Sequence, residues 1–191
     1  MLSEIPLFPL NTVLFPRGAL PLRIFETRYL DMVSDCLKRD QGFGVCLIQE
    51  GKETGKAKMH TVGTLAEIGD WSRGEDGLLH IVAQGKRRLK VAKVRTQGDG
   101  LNLGEVEILP EDPLLPVPDT QRMLPEILRQ VLQQAEVEYP AVEYADAAWV
   151  GNRLAEVLPI SLPQRQYLLE VDDPLKRLEI LATLVQSLSV Q

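Results

Sequence analysis

The chain has little of what covalent, redox or metal chemistry requires. Its 191 residues include two cysteines, Cys36 and Cys46, and two histidines, His60 and His80. Two cysteines build no disulfide framework, and neither has a second Cys or His at zinc spacing. Their apolar neighbours Val33, Leu37, Val45 and Leu47 suggest buried, reduced thiols and a cytoplasmic location. No apolar run reaches the roughly 18 residues of a membrane span. The N-terminus lacks the basic and then apolar regions of a secretory signal. There is no Gly-x-Ser-x-Gly elbow. The nearest approach to a phosphate loop, Gly51-Lys52-Glu53-Thr54-Gly55-Lys56-Ala57, is one residue short between its glycines. It also has Ala57 where a hydroxyl belongs, so it reads as an exposed turn between strands. The expectation is a protein with no metal, no cofactor, no membrane segment and no catalytic residues.

What is present describes an ordinary globule, 45% apolar and 25% charged, large enough for one big domain or two small ones. The net charge of −6 is uneven. Residues 1–110 carry 15 basic against 14 acidic side chains, and residues 111–191 carry 6 against 13. An acidic second half argues against general nucleic-acid binding and suits solubility or a basic partner.

The first 110 residues read as β-rich. Phe43–Gln49, Thr61–Ile68, Leu78–Gln84, Arg88–Val94 and Leu103–Leu109 are short apolar or alternating runs separated by glycines and charges. Before them, Pro6-Leu7-Phe8-Pro9-Leu10 and the burst ending in Phe15-Pro16 read as an edge strand, or as kinked short strands, because proline cannot donate to a ladder. One helix spans roughly Glu26 to Arg39, with Tyr29, Met32, Val33, Cys36 and Leu37 on one face. Four prolines between Pro110 and Pro118 mark a connector and a domain boundary.

After Asp119 the period is helical. Met123, Ile127, Leu128, Val131 and Leu132 form one stripe, with Pro125 expected to kink that helix or delay its start. Ala147, Gly151, Leu154 and Leu158 form a second stripe. Ser161 reads as an N-cap with Pro163 just inside, and Asp172 or Asp173 caps the last helix before Pro174. Leu175, Leu178, Leu181, Ala182, Val185 and Leu188 make its apolar face.

Further motifs run along the chain: Leu20 to Leu30, Gly63-Thr64-Leu65-Ala66 before Ile68, Asp76-Gly77 before Leu79 and Ile81, and Gly85-Lys86-Arg87-Arg88-Leu89. Arg153 to Pro159 and Leu168 to Leu178 follow. With the N-terminal Phe-Pro bursts, these resemble the Lon N-terminal domain family, the substrate-binding module at the front of ATP-dependent Lon proteases. The resemblance covers nearly the whole chain. It implies an α+β protein: an N-terminal PUA-like, mostly antiparallel six-stranded β-barrel with one inserted helix over residues 1–110, then a small C-terminal helical bundle over 119–191. The family's peptidase serine lies in a different domain, so no residue here inherits that role. A chain of 191 residues leaves no room for the ATPase and peptidase, and the expectation is a stand-alone module without them.

The resemblance also implies recognition of exposed apolar or unfolded segments in protein quality control, with a protease or chaperone as a partner. The candidate peptide-binding residues are Phe15, Arg23, Phe25, Glu26, Arg28 and Trp71. Arg23, Glu26 and Arg28 read either as a cluster locking barrel to helix or as the polar border of a groove. Phe8 and Phe25 read either as core or as groove. Trp71 falls in the polar stretch Asp70 to Gly77, which reads as a hairpin loop with little core to reach. The runner-up function is RNA binding, from the basic run Lys86, Arg87, Arg88, Lys90, Lys93 and Arg95, which lacks interleaved aromatics. A small-molecule hydrolase comes third.

Overall fold

In the computed structural model, residues 2–53 and 57–188 are described. By their internal contacts they fall into two units, Met1–Pro110 and Glu111–Gln191. The first holds β1 (Ser3–Leu10), β2 (Ala19–Ile24), α1 (Thr27–Arg39), β3 (Phe43–Gly51), β4 (Ala57–Met59), β5 (Val62–Arg73), β6 (Leu79–Thr96) and β7 (Asn102–Ile108). The turn read at Gly51–Ala57 joins β3 to β4; its centre, residues 54–56, lies outside the described residues.

The strands form a ring. The order β1-β7-β6-β5-β3 is closed by a parallel pairing of β1 with β3, and β2 and β4 are added to β6 and β3. Closure removes the two open edges that a sheet of this length would expose. β1 divides its pairing to achieve it. Ser3–Leu7 lie antiparallel to β7, and Leu7–Leu10 lie parallel to β3. β1 is therefore no edge strand of the sheet, contrary to the reading from its prolines. Each half is nevertheless an edge locally, since Pro6 has a neighbour strand only in β7 and Pro9 only in β3. A missing N–H is tolerated where one flank carries no ladder.

The alternation of strand side chains splits the apolar residues between two cores. Ile5, Leu7, Cys46, Leu89, Val91 and Val106 form one. Phe8, Leu10, Ile24, Phe43, Val45 and Ile81 join Tyr29, Met32, Val33 and Cys36 of α1 in the other. Leu37, assigned to the buried face of α1, is 44% exposed. The helix ends with Asp40 in the left-handed region at φ 50°, after Lys38 and Arg39, which suit the negative end of the helix dipole.

Two motifs fasten the loop between β1 and β2. Thr64, fully buried, donates its hydroxyl to the Leu14 carbonyl at 2.5 Å. The Arg17 N–H donates to the Gly85 carbonyl and the Gly85 N–H to the Gly18 carbonyl, both at 2.8 Å. A Cβ on Gly85 would collide with the Phe15 carbonyl oxygen, and one on Gly63 with that of Val45. These glycines are close-approach positions rather than turns. That explains why Leu78–Gln84 and Arg88–Val94, read as two strands, are one continuous β6 through Gly85.

The second unit holds α2 (Met123–Gln134), α3 (Ala147–Val157), α4 (Leu162–Glu170) and α5 (Pro174–Leu188), with 3-10 turns at Asp119–Gln121 and Ala141–Ala145. The helix α3 is its centre, buried from Ala147 through Ala155 and packed against α2, α4 and α5. Pro125 lies in the first turn of α2, where its missing N–H would have no intrahelical partner, so the helix starts before it. The buried face of α2 is Leu124, Pro125, Leu128 and Leu132, and the expected Met123 is 45% exposed. Ser161 and Gln164 form a reciprocal capping box, and Asp173 accepts the Leu175 N–H at 2.9 Å. The end of the connector is ordered within this unit: the Val117 N–H donates to the Ala145 carbonyl, and the Ala147 N–H to that of Leu115. No helix among the described residues is long and apolar enough to cross a membrane.

The apolar face of α5 contains a charge that its periodicity did not announce. Arg177 is fully buried and donates to the Leu168 carbonyl at 3.0 Å, the Val171 carbonyl at 2.6 Å and Asp112 at 2.8 Å. It ties α4, α5 and the connector together. Removing one partner of a buried ion pair costs about 3–5 kcal/mol because the other charge stays desolvated. Arg177→Met should therefore shift the urea midpoint by an amount in that range; a loss under about 1 kcal/mol would show that the bundle does not depend on this tie.

Candidate functional site

A cavity of about 560 Å³ lies in the first unit where β2 runs into α1 beside the ends of β5 and β6. Strand pairing builds it. Leu22 of β2 stands opposite Ile81 of β6, which stands opposite Trp71 of β5, so the three make one row across the sheet. Ile81 is buried at the centre of the row, while Trp71 at its end is 59% exposed. The floor is completed by Phe8 and Tyr29, stacked with centroids 4.0 Å apart, and by Ile24. Phe25, 61% exposed between β2 and α1, makes the facing wall. Burial pushes the Tyr29 hydroxyl up to about 12, so the floor stays uncharged near neutral pH.

Charged groups border this apolar surface. Arg23 pairs with Asp76 at 3.2 Å, and His80 approaches the same carboxylate at 3.3 Å. The Leu78 N–H, with help from His80 and Arg23, holds Asp76 below the usual carboxylate range. Glu26, Glu53 and Asp70 also line the cavity. Glu26 pairs with Arg28 at 2.9 Å. The Arg28 guanidinium lies 4.6 Å from the centre of the Tyr29 ring and donates to the carbonyls of Gly100 at 2.9 Å and Glu53 at 3.1 Å.

Of the six residues assigned from sequence, Arg23, Phe25, Glu26 and Trp71 line the cavity. Phe15 does not. It is fully buried, drawn inside by the backbone bonds that fasten its loop to Gly85. Arg28 is not a lining residue either, its side chain being 11% exposed; it positions the wall from behind. The Arg23–Glu26–Arg28 cluster is divided, with Arg23 turned to Asp76. Trp71 is on β5 and not in a hairpin loop, which is the tighter turn around Gly77 at φ 78°. Phe8 belongs to the core and Phe25 to the surface. Tyr29 and Ile81 were not among the assigned site residues; the cross-strand row that makes Ile81 part of the floor depends on register, which no local pattern records.

The basic run on β6 is largely answered by its surroundings. Lys86 pairs with Glu67 at 3.1 Å, and Arg95 grips Glu4 through two bonds of 2.7 and 2.6 Å. Arg87 donates to the Leu109 carbonyl and Arg88 is buried. Leu89 and Val91 point inward between them, as their alternation indicates. Cys36 and Cys46 are buried thiols, which burial pushes up to about 11 and 12.

Comparison with known proteins says what kind of domain carries this aromatic-walled groove. The chain belongs to the family of the ATP-dependent protease La (LON) substrate-binding domain, whose sequence model matches residues 4–187. It is similar to a crystal structure of a Lon N-terminal domain protein from Xanthomonas campestris, 39% identical, with a TM-score of 0.82 over 95% of this chain and 98% of that one. The N-terminal domain of the Mycobacterium avium complex Lon protease, 19% identical at a TM-score of 0.66, shares the fold. Among curated proteins, cereblon of Xenopus tropicalis is 33% identical over 68% of this chain and 29% of its own length. The Lon protease of Anaeromyxobacter dehalogenans is 24% identical over 96% of this chain and 23% of its own. The chain thus spans about a quarter of the length of these curated relatives.

The division between floor and wall is open to measurement. Phe8→Ala empties a packed core position and should cost about 3–5 kcal/mol. Trp71→Ala removes a surface ring and should change stability by under about 0.5 kcal/mol. Paired thermal melts check both, and an early melt of the Trp71 variant would make that ring part of the core.

Proposed function

We propose that this protein is a binding module, with no chemistry of its own, that recognises exposed apolar or unfolded polypeptide segments in the groove walled by Phe25 and Trp71. Family membership supports substrate recognition in general. The apolar segment as ligand is our reading, and one observation carries it: two large aromatic rings are left mostly exposed above a buried aromatic floor in a cavity of about 560 Å³. Exposed rings gathered around a concavity are a usual signature of a protein-binding surface. A second feature gives the backbone of the ligand a place. β5 pairs with β3 only through Thr64–Ala66, so from Glu67 to Arg73 its outer side has no strand partner among the described residues. An extended segment added there would gain main-chain hydrogen bonds while its alternate side chains met Trp71.

In this reading the groove belongs to a barrel domain of residues 1–110, and residues 119–191, after the connector at 110–118, form a separate helical domain. The module works in the cytoplasm as an adaptor, a holdase or a competitor alongside a protease or chaperone. The ion pairs that occupy the basic run of β6 favour this over the RNA-binding alternative.

Fluorescence anisotropy with a labelled apolar peptide tests the reading. Dissociation constants from micromolar to millimolar, about −8 to −4 kcal/mol, are expected, with weak salt dependence. Trp71→Ala should weaken binding by about 2 kcal/mol at unchanged stability. Peptide binding that ignores this substitution would place the ligand elsewhere. Binding of RNA in preference, with affinity falling steeply in salt, would decide for the other class.

A further inference from the structure

We propose that the groove selects apolar segments that carry an arginine or lysine beside the apolar anchor. The inference rests on the apolar-groove reading and adds a charge rule to it. Four carboxylates stand at or next to the groove: Glu26, Glu53, Asp70 and Asp76. Two are matched, Glu26 by Arg28 and Asp76 by Arg23. Glu53 and Asp70 have no cation within ion-pair distance among the described residues. Glu53 accepts the Asn11 N–H through one oxygen at 2.6 Å, and Asp70 accepts the Trp71 N–H through one oxygen at 2.8 Å. Each keeps a second oxygen directed to no protein donor among the described residues. Arg23, the one Lys or Arg lining the groove among the described residues, is already committed to Asp76, as is His80 at 3.3 Å. An acidic segment would meet unanswered carboxylates, whereas a basic one would answer them.

The rings add to the preference. A guanidinium or ammonium is attracted to an aromatic face, most strongly to tryptophan. Asp70 and Trp71 are successive residues of β5 and both line the cavity, so a segment lying along β5 can set one cationic side chain against the ring and a neighbouring one by the carboxylate. The protein itself sets a cation between a ring and a carboxylate at this groove. Arg28 lies 4.6 Å from the centre of the Tyr29 ring and 2.9 Å from the Glu26 carboxylate.

Three labelled peptides with one common apolar core, flanked by arginines, by serines or by glutamates, provide the test, read by anisotropy on the full chain. Two exposed charge pairs are worth little each, so at low salt the arginine-flanked peptide should bind roughly three- to tenfold tighter than the serine-flanked one, and the glutamate-flanked one weaker. The differences should shrink at about 0.5 M salt, where screening is strong. In Asp70→Asn/Glu53→Gln the affinity ratio of the arginine- to the serine-flanked peptide should fall to about one. Glu138→Gln/Glu179→Gln, which changes net charge equally at exposed sites of the second unit, should retain it. Equal affinity for the arginine and serine peptides, with binding still sensitive to Trp71→Ala, would overturn the charge rule and leave the groove reading standing. An arginine preference that survives Asp70→Asn/Glu53→Gln would also overturn it. If none of the peptides binds, the groove reading fails and the charge rule falls with it.

Discussion

Closure of the barrel by β1 is the constraint from which the rest of the first unit follows. One strand of eight residues serves two neighbours, antiparallel to β7 through Leu7 and parallel to β3 from Leu7 onward. Its side chains then alternate between two cores, which puts Phe8 and Leu10 on the side of α1 and Ile5 and Leu7 on the other. Phe8 can stack on Tyr29 only because of that register. The stack is the floor of the groove. The chain leaving β1 is then held down at Thr64 and Gly85, so that β2 enters beside β6 with Leu22, Ile81 and Trp71 in one row.

Rigid and accessible parts meet at this groove. Its floor is made of side chains locked by packing, and its walls are two rings that packing leaves free. Arg28 links the two levels. From behind the wall it holds the start of α1, the turn at Gly100 and the backbone of Glu53 with one planar, multidonor group. Loss of a wall ring leaves this framework in place, while loss of Arg28 would disturb the geometry of the border.

The helical unit solves the same problem differently. It has no closed ring and relies on one buried helix, α3, with a buried arginine as its fastener. Arg177 is tolerable at full burial because carbonyls and a carboxylate answer its donors. The capping box at Ser161 and the Asp173 cap set where the last two helices begin, so that the arginine meets its partners.

The change from period 2 to period 3.6 across the prolines of 110–118, the helix at 27–39, the caps at Ser161 and Asp173, and the buried thiols were all legible in the sequence. Each depends on residues close together in the chain: backbone restriction by proline, capping by a neighbouring side chain, and a stripe along one helix. The family motifs were legible too, although not their meaning; Gly63, Thr64 and Gly85 matter for what approaches them from β3 and from the loop at Phe15. Tertiary structure alone decided which aromatic rings face solvent. Phe15 and Phe25 sit in similar apolar bursts, yet one is sealed in the core and the other stands 61% exposed. Trp71 reads as a loop residue because its neighbours are polar, but it closes a cross-strand row. Arg177 drew no reading of its own from the sequence, but carbonyls from α4 and the stretch after it, and a carboxylate 65 residues away, make it part of the core. The physical reason is common to all three: burial and pairing register are set by contacts between segments distant in sequence, and a local pattern holds no record of the partner.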